Sequence, residues 1–251
     1  MKKILIAGNS QSGALKSCLN DGSYSPEGKI DIGFHVVPGG VGPNLSVEND
    51  RLVVTSFDPK QPPFFAPADV PDTPLSEYDA VIVSALGYID GGFTYKNAIP
   101  RQGLIAEFDP KPNEEVSNLI TPAVFQEVMQ EGFLRHTGFM FLKKLSESYS
   151  GKIVVQPFPY ISDYVLERED WALRQLYSDY KGANRFMVET RGIVLEEICE
   201  RYGATLLPMP ATDVAEQGFT PRDLMNDHDA LHAKASYGAM VWKEIEGCVL
   251  H

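Results

Sequence analysis

The sequence predicts an α/β fold: a three-layer α/β/α sandwich with a five-stranded parallel sheet. Short runs of consecutive apolar residues, each ended by turn-forming residues, are typical of strands buried on both faces. Segments with helical periodicity separate these runs, and this alternation favours a parallel sheet covered by helices. The chain has 251 residues, 43% of them hydrophobic and 22% charged, which is enough to form a large core.

The five core strands follow from the apolar runs in chain order. They are predicted over residues 3–7, 30–37, 79–86, 152–156 and 204–207. A shorter run at 52–56 is expected to be one arm of a hairpin. Gly or Pro follows each core run and marks the turn that ends it.

Four helices are predicted between and after the strands. They cover residues 11–18, 121–148, 182–202 and 233–245. In the third, the apolar residues lie at a spacing that lines one helix face; they are Val194, Leu195, Ile198 and Cys199. Gly132 and Gly138 are expected to bend or break the second.

The pattern predicts a single domain over residues 1–251. Two stretches, near 57–75 and 87–120, are rich in Pro, Gly and charge and show no strand or helix periodicity. The alternation of strands and helices continues after each of them. We therefore expect both to be loop insertions in one domain.

Composition excludes several classes of protein. The formal net charge of −12 disfavours a nucleic-acid partner, which would need clustered Lys and Arg. No apolar run is long enough for a membrane span or a secretory signal, so we expect a cytoplasmic protein without a membrane partner. Cys18, Cys199 and Cys248 are too far apart for a typical metal motif, so they are expected to be inert thiols. No cofactor is expected, and the oligomeric state is left open.

A turn of small polar residues follows the first strand, where residues 8–13 read GNSQSG. In an open parallel sheet, ligands bind beyond the carboxyl ends of the strands. A Walker loop would need Lys and Ser or Thr where Ala14 and Leu15 stand, and a dinucleotide fingerprint would need Gly in place of Ser10. The dinucleotide site stays a less favoured alternative, and two interpretations are open beside it: Ser10 is a nucleophile at a helix N-terminus, or it only caps the helix.

A serine nucleophile needs a histidine base and a group that orients this base. Asp229 and His232 are three residues apart, just before the last predicted helix. They could form such a pair, or Asp229 could simply cap the helix. A metal site made of these residues with Asp227 and His228 is a less favoured alternative.

These segments resemble the SGNH/GDSL hydrolase superfamily. The family pattern is Gly-Asp-Ser after the first strand and Asp-x-x-His before the last helix, and residues 8–10 and 229–232 read GNS and DALH. Gly39 and Gly40 resemble the block that supplies an oxyanion-hole glycine, and residues 78–90, including Gly87, are similar to the third strand and its Gly-x-Asn-Asp turn. The resemblance implies a flavodoxin-like SGNH hydrolase fold, with Ser10 as nucleophile, His232 as base and Asp229 as orienting acid.

Two departures concern the oxyanion hole. Asn9 replaces the Asp of Gly-Asp-Ser, and Ile89 stands where the family has its Asn. The resemblance implies donors at the Ser10 N–H, at Gly39 or Gly40, and at that Asn side chain, so the third donor is missing. Removal of one such donor typically lowers the rate about 10²–10³-fold. The candidate substitutes are Asn9, Gln11, His136 and Asn184.

By this resemblance the expected activity is that of a serine esterase or deacetylase, which hydrolyses a small-molecule or carbohydrate ester through an acyl-enzyme on Ser10. Residues 8–11, which read GNSQ, also resemble the Gly-Asn-Cys-Gln opening of the WcbI-like polysaccharide-biosynthesis branch. An acyltransferase or polysaccharide-modifying enzyme on the same scaffold is therefore an alternative. A ligand-binding protein without catalysis is a further one.

Overall fold

The computed structural model describes residues 1–26, 30–36, 45–54, 73–86, 121–169, 174, 183–210 and 218–250. Almost all of the predicted insertion near 57–75, and all of that at 87–120, lie outside these ranges.

Within these ranges, seven strands form two sheets. Their bounds are β1 Lys2–Gly8, β2 Ile30–Val36, β3 Leu45–Glu48, β4 Arg51–Val54, β5 Ala80–Leu86, β6 Lys152–Pro157 and β7 Thr205–Leu206. The main sheet has the order β2-β1-β5-β6-β7, and all its neighbours are parallel. Counted within this sheet alone, the order is 2-1-3-4-5, that of flavodoxin-like folds. The predicted five-stranded parallel sheet is confirmed, and so is the hairpin, which β3 and β4 form.

Five α-helices of the described part of the chain accompany the sheet. They are α1 Gly13–Asn20, α2 Pro122–Arg135, α3 Thr137–Ser148, α4 Ala183–Arg201 and α5 Ala235–Leu250. The predicted helix at 121–148 is two helices, separated at His136 and not at Gly132 or Gly138. His136 has an extended backbone, and its Nδ1 accepts a hydrogen bond from the Gly138 N–H at 3.3 Å. Its side chain thus caps the start of α3.

The two faces of the sheet carry separate helix layers. Along β1, Ile4 and Ile6 contact the layer of α1 and α5, whereas Leu5 and Ala7 contact the layer of α2, α3 and α4. This alternation arises because successive side chains of a strand point to opposite faces. Both faces are apolar, which explains the continuous apolar runs and confirms the predicted three layers.

The packing of α1 against α5 positions the two segments that precede these helices, and those segments carry the candidate site. A Cβ added at Gly238 would lie 2.1 Å from the Ala14 carbonyl oxygen, so only glycine allows this close approach. Further along, the Trp242 Nε1–H donates to the Leu15 carbonyl at 2.9 Å, and its ring stacks on Tyr24. The segments that precede α1 and α5 are therefore held side by side. No helix in the described part of the chain is long and apolar enough to cross a membrane.

Candidate active site

The turn after β1 presents Ser10 at the carboxyl edge of the sheet. Asn9 Oδ1 accepts a hydrogen bond from the Gln11 N–H at 3.0 Å, and the Asn9 carbonyl accepts one from the Ser12 N–H at 2.9 Å. Asn9 is thus the cap of a short 3₁₀ helix, Ser10–Ser12, and α1 continues from Gly13. The interpretation of Ser10 as the cap is wrong, because an amide oxygen one residue earlier has that role. The Ser10 hydroxyl is left for another partner.

That partner is His232. The Ser10 Oγ lies 3.3 Å from His232 Nε2, and His232 Nδ1 lies 2.8 Å from Asp229 Oδ2. The three side chains therefore form one continuous chain of hydrogen bonds. The arrangement has a hydroxyl on one imidazole nitrogen and a carboxylate on the other, as serine catalysis requires.

Asp229 is held by backbone groups as well as by the imidazole. Its Oδ1 accepts the N–H groups of Leu231 at 2.8 Å and His232 at 3.1 Å. Burial has the largest single effect and raises the pKa of Asp229, but these N–H groups and the His232 ring together keep the pKa below its usual value. The alternative of a helix cap is wrong, since the carboxylate bonds within its own turn and α5 begins only at Ala235.

The loop that carries Asp229 and His232 is closed at its base. Met225 and Ala233 form an antiparallel bridge, and the Asn226 N–H donates to the His232 carbonyl at 2.9 Å. The loop is also tied to the segment after β6, because the Ser162 N–H donates to the Ala230 carbonyl at 3.0 Å. The imidazole is thus positioned by backbone hydrogen bonds on both sides of it.

Buried polar side chains lie next to the turn that carries Ser10. A Cβ at Gly8 would come within 2.4 Å of Ser12 Oγ and 2.9 Å of Ser84 Cβ, so both serines contact the end of β1. The Ser84 hydroxyl donates to Gln156 Oε1 at 2.5 Å, which links β5 to β6. Ser12 Oγ and Gln11 Oε1 are buried without a hydrogen-bond partner in the described residues. Unsatisfied buried groups cost stability, and folded proteins retain few of them.

Most of the remaining candidates are not among the residues or side chains that the structure describes. Gly39, Gly40, Gly87 and Ile89 lie outside the described residues. His136 is exposed and caps α3. Asn184 belongs to α4, and its side chain also lies outside the description.

Metal ligation is not indicated by the described side chains, among which no group of three or more His, Cys, Asp or Glu could hold an ion. In the suspected cluster, Asp227 is directed to Lys234, whose Nζ lies 2.9 Å from its Oδ1. Asp229 and His232 bond each other.

A groove of about 700 Å³ opens beside Ser10 and His232. One wall is a face of α1, and the other is the segment that leads into α5. Its lining residues are Ser10, Gly13, Ala14, Ser17, Asp21, Ser23, Asn226, Asp229, His232, Ala233, Lys234, Ala235 and Ser236.

Sequence reasoning missed the groove and the buried polar pair. The sequence carries a usable signal for Ser84 and Gln156, since each is a polar residue near the end of an apolar strand. The sequence carries no such signal for Ser17 and Asp21, because exposed polar residues on or beside a helix are the common case.

No protein-family model and no curated protein matches the sequence. Solved structures do align over nearly the whole chain. A protein from Slackia heliotrinireducens, assigned provisionally to the SGNH hydrolases, is 12% identical, with 98% of this chain and 97% of that one covered and a TM-score of 0.44. An acetylxylan esterase from Geobacillus stearothermophilus is 12% identical, with coverages of 99% and 94% and a TM-score of 0.41. An extracellular lipase from Streptomyces rimosus is 11% identical, with coverages of 99% and 100% and a TM-score of 0.47.

Proposed function

We propose that the protein hydrolyses a carboxylic ester through an acyl-enzyme formed on Ser10. The observation that carries this proposal is the hydrogen-bonded chain from Ser10 Oγ through His232 to Asp229, which links residues 222 positions apart. A serine that only capped a helix would not need an imidazole at 3.3 Å with a carboxylate behind it.

The first half of the reaction forms the acyl-enzyme. Ser10 Oγ attacks the ester carbonyl carbon while its proton passes to His232 Nε2. Asp229 stays ionised, holds Nδ1–H and stabilises the imidazolium; its lowered pKa suits this part. The bond between the carbonyl carbon and the alcohol oxygen then breaks, and His232 gives its proton to the leaving alcohol.

The second half returns the enzyme to its starting state. A water molecule gives a proton to His232 Nε2 and attacks the acyl carbon. The bond to Ser10 Oγ breaks, Oγ regains its proton from the imidazolium, and the carboxylic acid leaves. The same imidazole thus serves as base and acid in each half.

The oxyanion would be held by backbone donors at the edge of the sheet. Ser10 opens a 3₁₀ helix, so its N–H belongs to the free donors of a helix start. We propose that Gly39 or Gly40, after β2, supplies a second N–H, with Gly87 in the turn after β5 beside it. Gln11 is the preferred substitute for the missing Asn, because it directly follows Ser10 and its side-chain Nε2 can donate, whereas Asn9 is engaged as a cap.

The test is the turnover of p-nitrophenyl acetate together with labelling by a fluorophosphonate. We expect Ser10→Ala to abolish labelling and to lower kcat/KM at least about 10³-fold, and Asp229→Asn to lower it about 10²–10⁴-fold. Ser146→Ala is the matched control, since Ser146 lies on α3, across the sheet from the site. Equal activity of Ser10→Ala and the unmodified protein would contradict the proposal.

A further inference from the structure

We propose that the groove between α1 and the segment before α5 binds the alcohol portion of the ester, and that this alcohol is rich in hydroxyl groups and carries no negative charge. This inference rests on the proposed function. It names the class of substrate and assigns Ser17, Asp21, Ser23, Asn226 and Ser236 to its recognition.

The position of His232 decides which half of the ester enters the groove. To protonate the leaving oxygen, His232 Nε2 must come within hydrogen-bond distance of it. His232 and Ser10 both line the groove at the end where their side chains meet. An alcohol that leaves from His232 therefore extends along the groove.

The lining favours hydroxyl groups over hydrocarbon. Apart from the small residues Gly13, Ala14, Ala233 and Ala235, the described residues that line the groove are polar, and no large aliphatic or aromatic side chain is among them. The lining offers a hydrocarbon chain only small apolar groups, so the apolar area that such a chain can bury there is limited. A polyol instead finds serine hydroxyls that donate and accept, together with a carboxylate and an amide.

The groove is long enough for a sugar ring. Gly13 and Ser17 on α1 and Asp21, the residue directly after it, are spaced four residues apart on one side, a rise of about 12 Å. The volume of about 700 Å³ lies within the usual range of small-molecule pockets. Several hydroxyls of one alcohol can thus meet several polar side chains at once.

The charge of the groove disfavours an anionic alcohol. Asp21 is exposed, and hydrogen bonds from the side chain and backbone of Ser23 keep its pKa below the usual value, so it is ionised at neutral pH. Among the described residues that line the groove, the only lysine or arginine is Lys234, and its Nζ is already paired with Asp227 at 2.9 Å. A carboxylate or phosphate on the alcohol would therefore meet net negative charge.

Three acetate esters with different alcohols test the inference. They are methyl 6-O-acetylglucoside, hexyl acetate and the acetate ester of a methyl glucuronoside, which keeps its carboxylate. We expect kcat/KM to be at least about 10-fold higher for the glucoside than for hexyl acetate, a gain of two or three hydrogen bonds, and several-fold lower for the glucuronoside. Hexyl acetate turned over as well as the glucoside would overturn the inference.

Variants on α1 and at the residue directly after it test whether the groove causes this preference among alcohols. Ser17→Ala removes a hydroxyl at an exposed helical position that tolerates Ala. We expect it to lower the ratio of kcat/KM for the glucoside over that for hexyl acetate about 3- to 10-fold. Asp21→Asn keeps an oxygen to accept the Ser23 N–H but removes the charge, and should raise the relative kcat/KM of the glucuronoside about 2- to 5-fold. Asn20→Ala, on the same helix but outside the lining, is the control and should change neither ratio.

The outcomes separate this inference from the proposed function. If the protein hydrolyses p-nitrophenyl acetate in a Ser10-dependent manner but does not prefer the glucoside, the alcohol assignment is wrong and the esterase mechanism stands. If no acetate is hydrolysed and no fluorophosphonate label forms, the proposed function is wrong, and this inference, which rests on it, is wrong as well. A preference that Ser17→Ala and Asp21→Asn leave unchanged would place alcohol recognition elsewhere.

Discussion

Two neighbouring residues have two separate roles here: the Asn9 side chain caps the helix start, and the Ser10 hydroxyl bonds His232. The Asn9 side chain accepts the Gln11 N–H, which a helix start would otherwise leave unsatisfied. Because that donor is satisfied, the Ser10 hydroxyl can face His232. Asn9 stands where the SGNH/GDSL pattern has Asp; it keeps a capping oxygen and places no negative charge beside Ser10. The motif alone could not show this division, since both residue types are good caps.

At the same scale, His35 is a buried imidazole near the end of β2. Its side chain is 1% exposed, and neither ring nitrogen has a hydrogen-bond partner in the described residues. Burial disfavours the charged form and lowers the pKa of His35 to about 4. In the unfolded chain the same group titrates near its ordinary value of about 6.5.

This difference predicts a loss of stability in mild acid. As the pH falls below about 6.5, His35 binds a proton in the unfolded state, whereas in the folded state it stays neutral down to about pH 4. The free energy of unfolding therefore falls across this window by about 3 kcal/mol. The loss between pH 7 and pH 4.5, measured by urea unfolding, should be smaller by about 2–3 kcal/mol in His35→Leu. His228→Asn is the control: His228 is exposed, and Asn tolerates its positive φ. An equal loss in His35→Leu and the unmodified protein would refute the assignment.

At the scale of elements, the crossing of α1 and α5 is the contact on which the site depends most. Gly238 touches the backbone of α1, which cannot move aside as a flexible side chain can. Ser10 precedes α1 and His232 precedes α5, so a shift between these helices changes the distance between the two side chains.

Gly238→Ala should therefore lower both stability and activity. We expect a loss of about 1–3 kcal/mol in the free energy of unfolding and a fall in kcat/KM for p-nitrophenyl acetate, measured well below the melting temperature. Gly247→Ala is the matched control on the same helix, because a Cβ there meets no atom within 4 Å. It should gain about 0.5–1 kcal/mol from helix propensity. Equal effects of the two substitutions would contradict the close approach at Gly238.

The boundary between α2 and α3 shows a limit of element prediction. Apolar periodicity runs through residues 121–148, and the two glycines were the expected breaks. The break falls at His136, because its ring caps α3 and its own backbone is extended. Histidine is not among the strong breakers or caps, so no local signal pointed to it.

At the scale of the whole molecule, one sheet supports two apolar layers. Cys18 is buried in the layer of α1 and α5, and Cys199 in the layer of α2, α3 and α4. Burial raises the pKa of Cys18 to about 11 and that of Cys199 to about 12, so both thiols react slowly in the folded state. We propose that the chain is a single domain, whose two layers open together because they share strands.

Thiol labelling across a urea series tests this proposal. In a Cys248→Ser background, mass spectrometry after a short pulse of reagent should show Cys18 and Cys199 becoming reactive with the same midpoint. Far-UV circular dichroism should give that midpoint as well. Midpoints that differ by more than the error of the measurement would show that the layers unfold independently.

The sequence by itself determined the layers and indicated the candidate site residues. Continuous apolar runs identify strands buried on both faces. The GNS and DALH segments are each only three or four residues long, so their local spacing is enough to recognise them. Only the tertiary structure decided which groups meet. Ser10 reaches His232 across 222 positions, Ser84 reaches Gln156 across 72, and Gly238 lets α1 and α5 approach each other closely. Such contacts depend on how helices pack over a common sheet, and the polar residues on their outer faces show no periodicity that reveals their neighbours.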